Sequence, residues 1–439
     1  MINFFAGYAS HHILPREEIV KATAELLLPE TRYFDNDSND KHPLVYGSNR
    51  GAAWVRDTIA DFSNRVFRLP EERKMATRPE FLNLTSGASY GALNILLQTT
   101  LPHNNYTRQA FIVTPTYFLI NDTFVDAGFA GKTTAVSEID GNLDLEFLEE
   151  RMKHFDSINS CDSEDASSLK MITNVGGYKK IYRYVIYIVP TYANPTGSVY
   201  SEQNRVALLE LARKYDMLIL SDDVYDLLTY DSKDEDCSIP KPPQYRFPHL
   251  DRETLPEGNE YGNTISNCTF SKIVAPGLRT GYQESVNEKL TFQLSSGGAN
   301  VSGGTPSQLN SMIIATMIKS GIVDEIIAKL IKIFRERSEV LSQSIEKYLP
   351  KGTICPRCIG GYFTWCTLPP GYDSSEIVEI AKLEGLVLAD GSLFEVKGDE
   401  KNWGKQCVRL CISFATSEEI KEGMRIWGQA CKLYAAKVA

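Results

Sequence analysis

The chain has 439 residues, 43% of them hydrophobic, and a formal net charge of −10. Its length allows one large core and a smaller second one, so two domains are predicted. The acidic balance argues against a nucleic-acid partner, which needs clustered Lys and Arg, and no apolar run approaches the roughly 18 residues of a membrane span.

The N-terminal residues lack the basic and apolar regions of a secretory signal, so a cytoplasmic location is predicted. Nine cysteines are scattered along the chain. An odd number without a secretory context favours free thiols, and the closest pair, Cys355 and Cys358, has no second pair at zinc-binding spacing. The sequence therefore predicts neither a disulfide framework nor a metal site.

Alternating strands and helices are predicted over the first 270 residues. Four short apolar runs predict buried strands, at residues 110–113, 184–189, 217–220 and 264–270. Between the second and third runs, Ser201 can cap a helix whose apolar residues recur at three-residue steps: Val206, Leu209, Ala212 and Tyr215. Strand, helix and strand in this order form a crossover unit, so the predicted fold class is α/β with a mostly parallel, doubly wound sheet. Ligands of such sheets bind beyond the carboxyl ends of the strands.

Two segments lack apolar periodicity and are predicted to be surface loops. Residues 151–180 carry a run of Asp, Glu and Ser, and residues 231–260 are rich in Pro, Asp and Glu. After about Ser295 the pattern changes, and it predicts two helices followed by two strands, at residues 308–330, 331–348, 362–367 and 408–414. This C-terminal part is predicted to be a smaller α+β domain.

A lysine stands directly after the last of the buried runs. An ammonium group there is costly to desolvate unless something uses it, and a carbonyl cofactor would use Lys272 by condensing with its amine. The hydroxyls of Thr269 and Ser271 and the guanidinium of Arg279 would then clamp a cofactor phosphate. Taken alone, this motif is equally typical of a solvated loop.

Polar side chains also follow two other predicted strands. Asp222 follows the 217–220 run, where an acid can pair with a protonated pyridine nitrogen, and Tyr225 can bind the phenolic oxygen of the same ring. Asn194 follows the 184–189 run in a turn with Pro and Gly, and offers an amide donor to that oxygen. A strand-end turn stabilised by Asp is the alternative explanation for Asp222.

An aromatic ring and a helix N-terminus complete this set. Tyr117 follows the 110–113 run, where its ring could stack on a flat heterocycle. Ala88 and Ser89 lead into a predicted helix, so their backbone amides would point at an anion. Each feature is weak alone. Most of them lie where strands end, and each supplies a group that one molecule of pyridoxal 5′-phosphate (PLP) needs, so together they predict a PLP site.

These motifs resemble those of a known enzyme family. Asn194-Pro-Thr-Gly197, Asp222-x-x-Tyr225, Ser271-Lys272 with Pro276-Gly277-x-Arg279, and Arg409-Leu410 look like the fold-type I, class I/II PLP-dependent aminotransferases over nearly the whole chain. Within that superfamily the chain is similar to fungal 2-aminoadipate and aromatic aminotransferase-like proteins. One departure is Gly7-Tyr8-Ala9, where many relatives have Gly-x-Pro beside the substrate pocket.

The resemblance implies a catalytic site built from Lys272, Asp222 and Tyr225. Lys272 would form the Schiff base with PLP and shuttle a proton, Asp222 would bind the pyridine nitrogen, and Asn194 and Tyr225 would bind the phenolic oxygen. Tyr117 would stack on the ring. Five residues would hold the phosphate: Ala88, Ser89, Thr269, Ser271 and Arg279.

The resemblance also implies how substrates and a second subunit bind. Arg409 would bind the substrate α-carboxylate with Asn194 beside it, and Tyr46 would reach the phosphate in a neighbouring subunit, which implies a homodimer. The reaction would be ping-pong transfer from 2-aminoadipate, or an aromatic amino acid, to a 2-oxo acid such as 2-oxoglutarate. A distal carboxylate left unpaired would be costly, and Arg16 and Arg50 are the candidates to bind it.

Three domains or arms are expected on this resemblance. Residues 1–45 would form an N-terminal arm and part of the small domain, residues 46–294 the large PLP-binding domain, and residues 295–439 the small C-terminal α+β domain.

Three other functions fit parts of the sequence. Gly87-Ala-Ser89-Tyr-Gly91 matches the nucleophile elbow of α/β-hydrolases, but the late catalytic His of that fold is missing, since the last His is His249. A non-catalytic PLP-binding regulatory protein that retains the fold is a second alternative, against which the presence of Lys272, Asp222 and Arg409 together argues. A PLP-dependent lyase of the same fold shares the cofactor residues, and the sequence leaves it open.

Overall fold

The computed structural model describes residues 1–28, 39–158, 179–231 and 239–438. The described residues form an eight-stranded sheet, a three-stranded sheet and a two-stranded pair. The strands are β1 Ile2–Asn3, β2 Leu82–Thr85, β3 Gln109–Thr114, β4 Thr133–Ile139, β5 Asn142–Leu143, β6 Tyr184–Ile188, β7 Met217–Asp222, β8 Thr264–Thr269, β9 Gly281–Ser285, β10 Phe363–Thr367, β11 Leu386–Val387, β12 Ala389–Asp390 and β13 Cys407–Cys411.

Helices pack around these sheets. None of the described helices is long and apolar enough to cross a membrane. The helices are α1 Arg16–Leu27, α2 Ala53–Phe67, α3 Ala88–Thr99, α4 Ile120–Phe124, α5 Leu145–Ile158, α6 Glu202–Tyr215, α7 Phe247–Glu253, α8 Glu288–Ser295, α9 Gly298–Gly303, α10 Gln308–Lys319, α11 Ile322–Tyr348, α12 Ser374–Leu383 and α13 Ser417–Val438.

The large sheet is mostly parallel, with the strand order β2-β9-β8-β7-β6-β3-β4-β5. Strands β4, β3, β6, β7 and β8 run parallel, whereas β2, β9 and β5 join by antiparallel pairing. The chain places β4 on one side of β3 and β6 on the other, so the direction of winding reverses there. A switch point of this kind opens a crevice at the carboxyl ends of neighbouring strands, where ligands of α/β sheets bind. The predicted fold class is confirmed.

The central strands are buried along their whole length. Every residue of β3, β6, β7 and β8 is buried, as expected for parallel strands that helices cover on both faces. The four apolar runs of the sequence coincide with these strands to within two residues at either end. Because the strands are rigid and buried, they hold the side chains at their carboxyl ends in set positions.

The helix between β6 and β7 begins, as predicted, after Ser201. The Ser201 side chain accepts a hydrogen bond from the Asn204 backbone amide at 3.2 Å. The buried face differs from the predicted one, since Val206 is 38% exposed. The buried residues of this helix, α6, are Arg205, Leu208, Leu209 and Ala212. Leu209 and Ala212 are buried as predicted, and the prediction is wrong for Val206. Arg205 takes the core position instead, where its guanidinium donates to backbone carbonyls of Pro190 and Tyr200.

Replacing Ser201 with Ala is expected to lower the free energy of unfolding by about 1 kcal/mol, because the first turn of α6 loses its capping acceptor. The midpoint of chemical denaturation measures this loss. Gln203→Ala is the control: residue 203 is exposed on the same turn, and its replacement should change the free energy of unfolding by less than about 0.5 kcal/mol. Equal denaturation midpoints for the two variants would contradict the capping role of Ser201.

The C-terminal part contains the three-stranded antiparallel sheet, in the order β10-β13-β12. The N-terminal strand β1 pairs in parallel with β11 of this part, and α1 packs on α10. These contacts support the proposal that residues 1–45 join the small domain. The boundaries proposed for the domains, after residues 45 and 294, stay a prediction.

Two predicted segments of the C-terminal half differ from the structure. The helix predicted over 308–330 is interrupted at Gly321, whose φ of +77° ends the helical path between α10 and α11. The 231–260 loop contains the short helix α7, because six of its seven residues, Phe247 to Arg252, are buried within a Pro-rich stretch. Residues 232–238 of that loop lie outside the described residues.

The insertion predicted over residues 151–180 is described only at its ends. Residues 151–158 continue α5, in which Leu148 and Met152 are buried. The helical period there was hidden by charged residues on the exposed face. Residues 159–178, which carry the acidic and Ser-rich run, lie outside the described residues.

The cysteines differ from prediction at one pair. Cys355 and Cys366 form a disulfide, so the prediction of free thiols is wrong for these two. A backbone bridge between Ile354 and Thr367 brings the two cysteines side by side, a contact that sequence spacing does not reveal. The remaining described cysteines are free and buried: Cys268, Cys358, Cys407, Cys411 and Cys431.

Candidate active site

A cavity of about 290 Å³ lies at the carboxyl ends of β3, β6, β7 and β8, beside the switch point. Its volume is close to the lower end of the range of about 300–1,000 Å³ typical of small-molecule sites. Most of the site residues predicted from the sequence line it: Ala88, Ser89, Tyr117, Asn194, Asp222, Tyr225, Thr269, Ser271, Lys272 and Arg279. Segments far apart in the chain therefore meet at one cavity, as the strand-end rule predicts.

Lys272 lies three residues beyond the end of β8. Its Nζ donates to the Gly7 carbonyl at 2.8 Å and lies 5.8 Å from the centre of the Tyr225 ring. The Tyr362 hydroxyl donates to the Lys272 carbonyl at 2.6 Å and holds the backbone there. Desolvation lowers the pKa of Lys272 to about 8. This lower pKa raises the fraction of the amine that is unprotonated near neutral pH, which is the form that adds to a carbonyl.

Asp222 is the last residue of β7, and its carboxylate is buried. The Tyr187 hydroxyl donates to Oδ2 at 2.7 Å, and the Asn267 amide donates to Oδ1 at 3.1 Å. Burial raises the pKa of Asp222 to about 7, and the two hydrogen bonds act against that rise. A cation beside this acid would favour its ionised form. The neighbouring carboxylate of Asp223 instead accepts a hydrogen bond from Ser266 behind the cavity.

Arg409 on β13 reaches the cavity through Asn194. Its Nη1 donates to Asn194 Oδ1 at 3.1 Å, and its Nη2 donates to the Phe5 carbonyl. The guanidinium carbon lies 4.3 Å from the ring centre of Phe363 and 4.9 Å from that of Phe394. Among the described residues, the buried Nε finds no hydrogen-bond partner. A desolvated cation with a free donor is suited to an anionic ligand.

The other end of the cavity offers donors for an anion. The hydroxyls of Thr269 and Ser271 are 2.8 Å apart, and Arg279 Nη1 donates to the Ser271 hydroxyl at 3.3 Å. Helix α3 begins at Ala88, after Gly87 with a φ of +91°. A Cβ on Gly87 would lie 2.6 Å from Arg279 Nη2, so glycine makes room for the guanidinium at the helix N-terminus. Backbone amides, hydroxyls and a guanidinium together suit a phosphate.

The cavity fits the chemical groups of PLP. It holds an amine for the aldehyde, an acid for the ring nitrogen, an amide for the phenolic oxygen and a cation for the phosphate, on Lys272, Asp222, Asn194 and Arg279. The Tyr225 hydroxyl stays a donor, because burial raises its pKa well above the usual value. Since Asn194 Oδ1 accepts from the guanidinium, its Nδ2 is the end left to donate. Tyr117 lines the same cavity and supplies an aromatic ring.

Three predicted residues lie elsewhere. Tyr46 is 77% exposed, and its contact with a neighbouring subunit stays a prediction. Arg16 is exposed on α1, and Arg50 pairs with Glu288 at 3.2 Å. Neither arginine is among the described residues that line the cavity, so within this chain neither supports the binding of a distal carboxylate.

Sequence reasoning missed the residues that contact the reactive side chains. Phe5 and Gly7 supply the carbonyls that bind the guanidinium and the lysine amine. Tyr187 and Asn267 bind the carboxylate of Asp222. A hydroxyl inside an otherwise apolar buried strand was the available signal for Tyr187. Asn267 stands among Thr and Ser in β8, so no such contrast marks it. Backbone carbonyls leave no signal of this kind, because every residue has one.

The whole chain is similar to known aminotransferases. The profile of the family described as "Aminotransferase class I and II" matches residues 3–426. An uncharacterized protein of Saccharomyces cerevisiae is 52% identical over 438 residues, which are 99% of this chain and 97% of that protein. Aromatic-amino-acid aminotransferase 1 of Thermococcus litoralis is 23% identical over 98% of this chain and 88% of its own length. Among solved structures, the alpha-aminoadipate aminotransferase of Thermus thermophilus, complexed with N-(5′-phosphopyridoxyl)-L-leucine, matches with a TM-score of 0.73 at 21% identity, over 100% of this chain and 93% of that chain.

Proposed function

This chain belongs to the class I and II aminotransferases, and we propose that it moves an amino group from an aromatic amino acid or 2-aminoadipate to a 2-oxo acid by a ping-pong mechanism. Transamination and the PLP cofactor follow from the family; the donor, the acceptor and the residue roles are the proposed part. The observation that carries the proposal is one cavity that joins Lys272, Asp222 and Arg279 to Asn194, the hydrogen-bond partner of Arg409.

The bound cofactor supplies an electron sink for the pair released at the substrate Cα. Lys272 would hold the cofactor through its amine until the substrate amine displaces it, and the freed amine would then take the proton from Cα. Asp222 keeps the ring nitrogen protonated through charge pairing. Asn194 and Tyr225 donate to the phenolic oxygen.

The remaining cavity residues orient cofactor and substrate. Tyr117 stacks on the ring, and Arg409 pairs with the substrate α-carboxylate through its guanidinium fork. The phosphate is held by the N-terminus of α3, by two hydroxyls and by one guanidinium, from Ala88, Ser89, Thr269, Ser271 and Arg279.

The surroundings of Arg409 favour an aromatic donor. Phe363 and Phe394 stack on the guanidinium, and Phe5 lies 5.7 Å away. Phe118 extends this apolar wall, 5.5 Å from Phe394. A donor whose α-carboxylate pairs with Arg409 would place an aromatic side chain beside matching rings.

A distal carboxylate has less support. The cations among the described residues that line the cavity are Lys272 and Arg279, and the proposal assigns both to the cofactor. A second carboxylate would therefore be desolvated without a partner. We rank aromatic donors first and 2-aminoadipate, which the sequence put first, second. The same argument applies to the acceptor, so 2-oxoglutarate is to be compared with phenylpyruvate.

Phenylalanine and tyrosine are expected to show a kcat/KM about tenfold or more above that of 2-aminoadipate, since each 1.4 kcal/mol of uncompensated carboxylate burial corresponds to a factor of about ten. Formation of the 2-oxo acid from each donor, with a saturating acceptor, measures the ranking. Norleucine is the matched control for 2-aminoadipate, because the two have side chains of similar length and differ in the terminal carboxylate. A higher kcat/KM for 2-aminoadipate than for norleucine and the aromatic donors would refute the ranking.

The same assay separates the enzyme classes. An aminotransferase needs a 2-oxo acid for more than one turnover, whereas a lyase turns over an amino acid alone. A regulatory protein converts neither the amino acid nor the 2-oxo acid. Continuous turnover without a 2-oxo acid would overturn the proposed function.

We also propose a homodimer in the cytoplasm. Leu44, Val45 and Tyr46 are each more than half exposed, and a second subunit would cover this apolar segment. The contact of Tyr46 with the neighbouring phosphate and the cytoplasmic location are kept as sequence predictions.

A further inference from the structure

Two buried side chains flank the Asp222 carboxylate, one from each neighbouring strand. Asp222 ends β7, which lies between β6 and β8 in the sheet. Asn267 on β8 pairs directly opposite Asp222, and Tyr187 on β6 pairs opposite Leu220. Leu220 is two residues before Asp222, so Tyr187 is a diagonal neighbour on the same face. The register of the sheet therefore brings both donors to the carboxylate.

The amide of Asn267 also reaches the helix at the anion end of the cavity. Its Nδ2 donates to the Ala88 carbonyl at 2.8 Å as well as to Asp222. Both partners are acceptors, so the opposite orientation of the amide would lose both hydrogen bonds. A Cβ at Gly91 would lie 2.1 Å from Asn267 Oδ1. Glycine at this position therefore lets the first turn of α3 rest directly on Asn267.

A buried carboxylate needs such donors to stay charged. Burial raises the pKa of Asp222, whereas the hydrogen bonds from Tyr187 and Asn267 lower it. The Tyr187 hydroxyl remains a donor at neutral pH, because burial raises its own pKa well above the usual value. The other titratable groups facing the carboxylate are Asp223, Lys272 and Tyr117. Asp223 raises the pKa of Asp222 and Lys272 lowers it, so loss of either hydrogen bond shifts the balance toward the neutral acid.

We infer that Tyr187 and Asn267 are positioning residues, which hold Asp222 ionised and aimed at the ring nitrogen of PLP, and that Asn267 links this contact to the phosphate end of α3. The inference rests on the proposed role of Asp222. Both residues act on the cofactor through Asp222, to which each donates a hydrogen bond. Asn267 also acts through Ala88, to which it donates a second one. A ring nitrogen that keeps its proton withdraws electrons from the groups conjugated to it. Weakening the contact of Asp222 with the ring nitrogen reduces this withdrawal of electrons. The conjugated groups then hold a proton more tightly, so the apparent pKa of the bound cofactor rises.

Tyr187→Phe tests the first half of the inference. In the substrate-free holoenzyme, the apparent pKa of the cofactor's visible absorption is expected to rise by about half a unit or more, because one hydrogen bond to a charged group is lost. With phenylalanine as donor, kcat is expected to fall about tenfold and KM to change less than about threefold. The matched control is Tyr184→Phe on the same strand, whose hydroxyl bonds to Asp156 at 2.6 Å, away from the cavity.

Asn267→Leu tests the second half. The same upward shift of the cofactor pKa is expected, together with faster cofactor release, because the Ala88 carbonyl at the start of α3 loses the hydrogen bond from Asn267. Release is followed by absorbance after gel filtration into cofactor-free buffer. Tyr187→Phe should release the cofactor at the rate of the unmodified enzyme, since it leaves the Ala88 contact intact.

Equal titration curves for Tyr187→Phe, Tyr184→Phe and the unmodified enzyme would overturn the positioning role. A normal release rate in Asn267→Leu would overturn the link to α3, and Tyr187→Phe decides the first half alone if Asn267→Leu does not fold. The titration needs bound cofactor but no substrate. It therefore still decides the inference if no donor is turned over, an outcome that would refute the proposed function instead.

Discussion

Lys272→Ala is expected to abolish transamination, with kcat at least about 10⁴-fold below that of the unmodified enzyme. The substitution removes the amine that is proposed to hold the cofactor and, with it, the proposed base for the proton of the substrate Cα, so two contributions would be lost together. Turnover of a donor and a 2-oxo acid measures the loss. Borohydride reduction followed by mass spectrometry should find the cofactor attached to the unmodified chain and absent from the variant.

Lys214→Ala is the matched control for this substitution. Lys214 is an exposed lysine that pairs with Glu149 at 2.6 Å on the surface, so its loss should leave activity unchanged. Lys272→Ala should remain folded, because the contact that its amine loses is the hydrogen bond to the Gly7 carbonyl. Thermal melting checks the fold. Turnover within about tenfold of normal would refute the assignment, and so would finding the borohydride-reduced cofactor attached to another lysine.

Asp222→Asn is expected to lower kcat by about a hundredfold or more, which corresponds to about 2.7 kcal/mol, while the cofactor content falls far less. Asn has the size of Asp but lacks the charge that keeps the ring nitrogen protonated. The chemical step therefore suffers, whereas the anion site of Ser271 and Arg279 still binds the phosphate. Steady-state kinetics and the absorbance of the bound cofactor measure the two effects separately.

Asp223→Asn distinguishes between the two adjacent carboxylates. Asp223 is buried and accepts a hydrogen bond from the Ser266 hydroxyl. This variant should therefore be less stable, while kcat per bound cofactor changes by less than about threefold. If Asp223→Asn lowered kcat more than Asp222→Asn, the wrong acid would have been chosen. The positions support Asp222, whose side chain lines the cavity.

The sequence by itself determined the four central strands of the large sheet, β3, β6, β7 and β8, and most of the residues that meet at the cavity. Buried parallel strands appear as continuous apolar runs, and the carboxyl ends of such strands meet at one edge of the sheet. Residues that follow these runs, such as Asn194, Asp222 and Lys272, could therefore be expected together before any contact was known. The prediction was wrong in part for the single helix across Gly321 and for the loop over residues 231–260, because local patterns there conflict with packing against the rest of the chain.

Contacts between distant segments were decided by the tertiary structure alone. The disulfide of Cys355 and Cys366 and the carbonyls of Phe5 and Gly7 at the cationic groups depend on how separate loops pack. No periodicity encodes such contacts, because a backbone carbonyl belongs to every residue and a disulfide depends on the distance between two chain segments.

The same holds for the two features that most refine the function. Tyr187 and Asn267 meet Asp222 only through strand register, which shifts every partner if it slips by one residue. The aromatic wall around Arg409 joins Phe5 to Phe394 on another element nearly the whole chain away. The sequence put 2-aminoadipate first on its resemblance to a subgroup, whereas its motifs describe the cofactor, which the whole family shares. Side chains that could select a donor converge only in the folded chain, so the proposed preference for an aromatic donor rests on the tertiary structure.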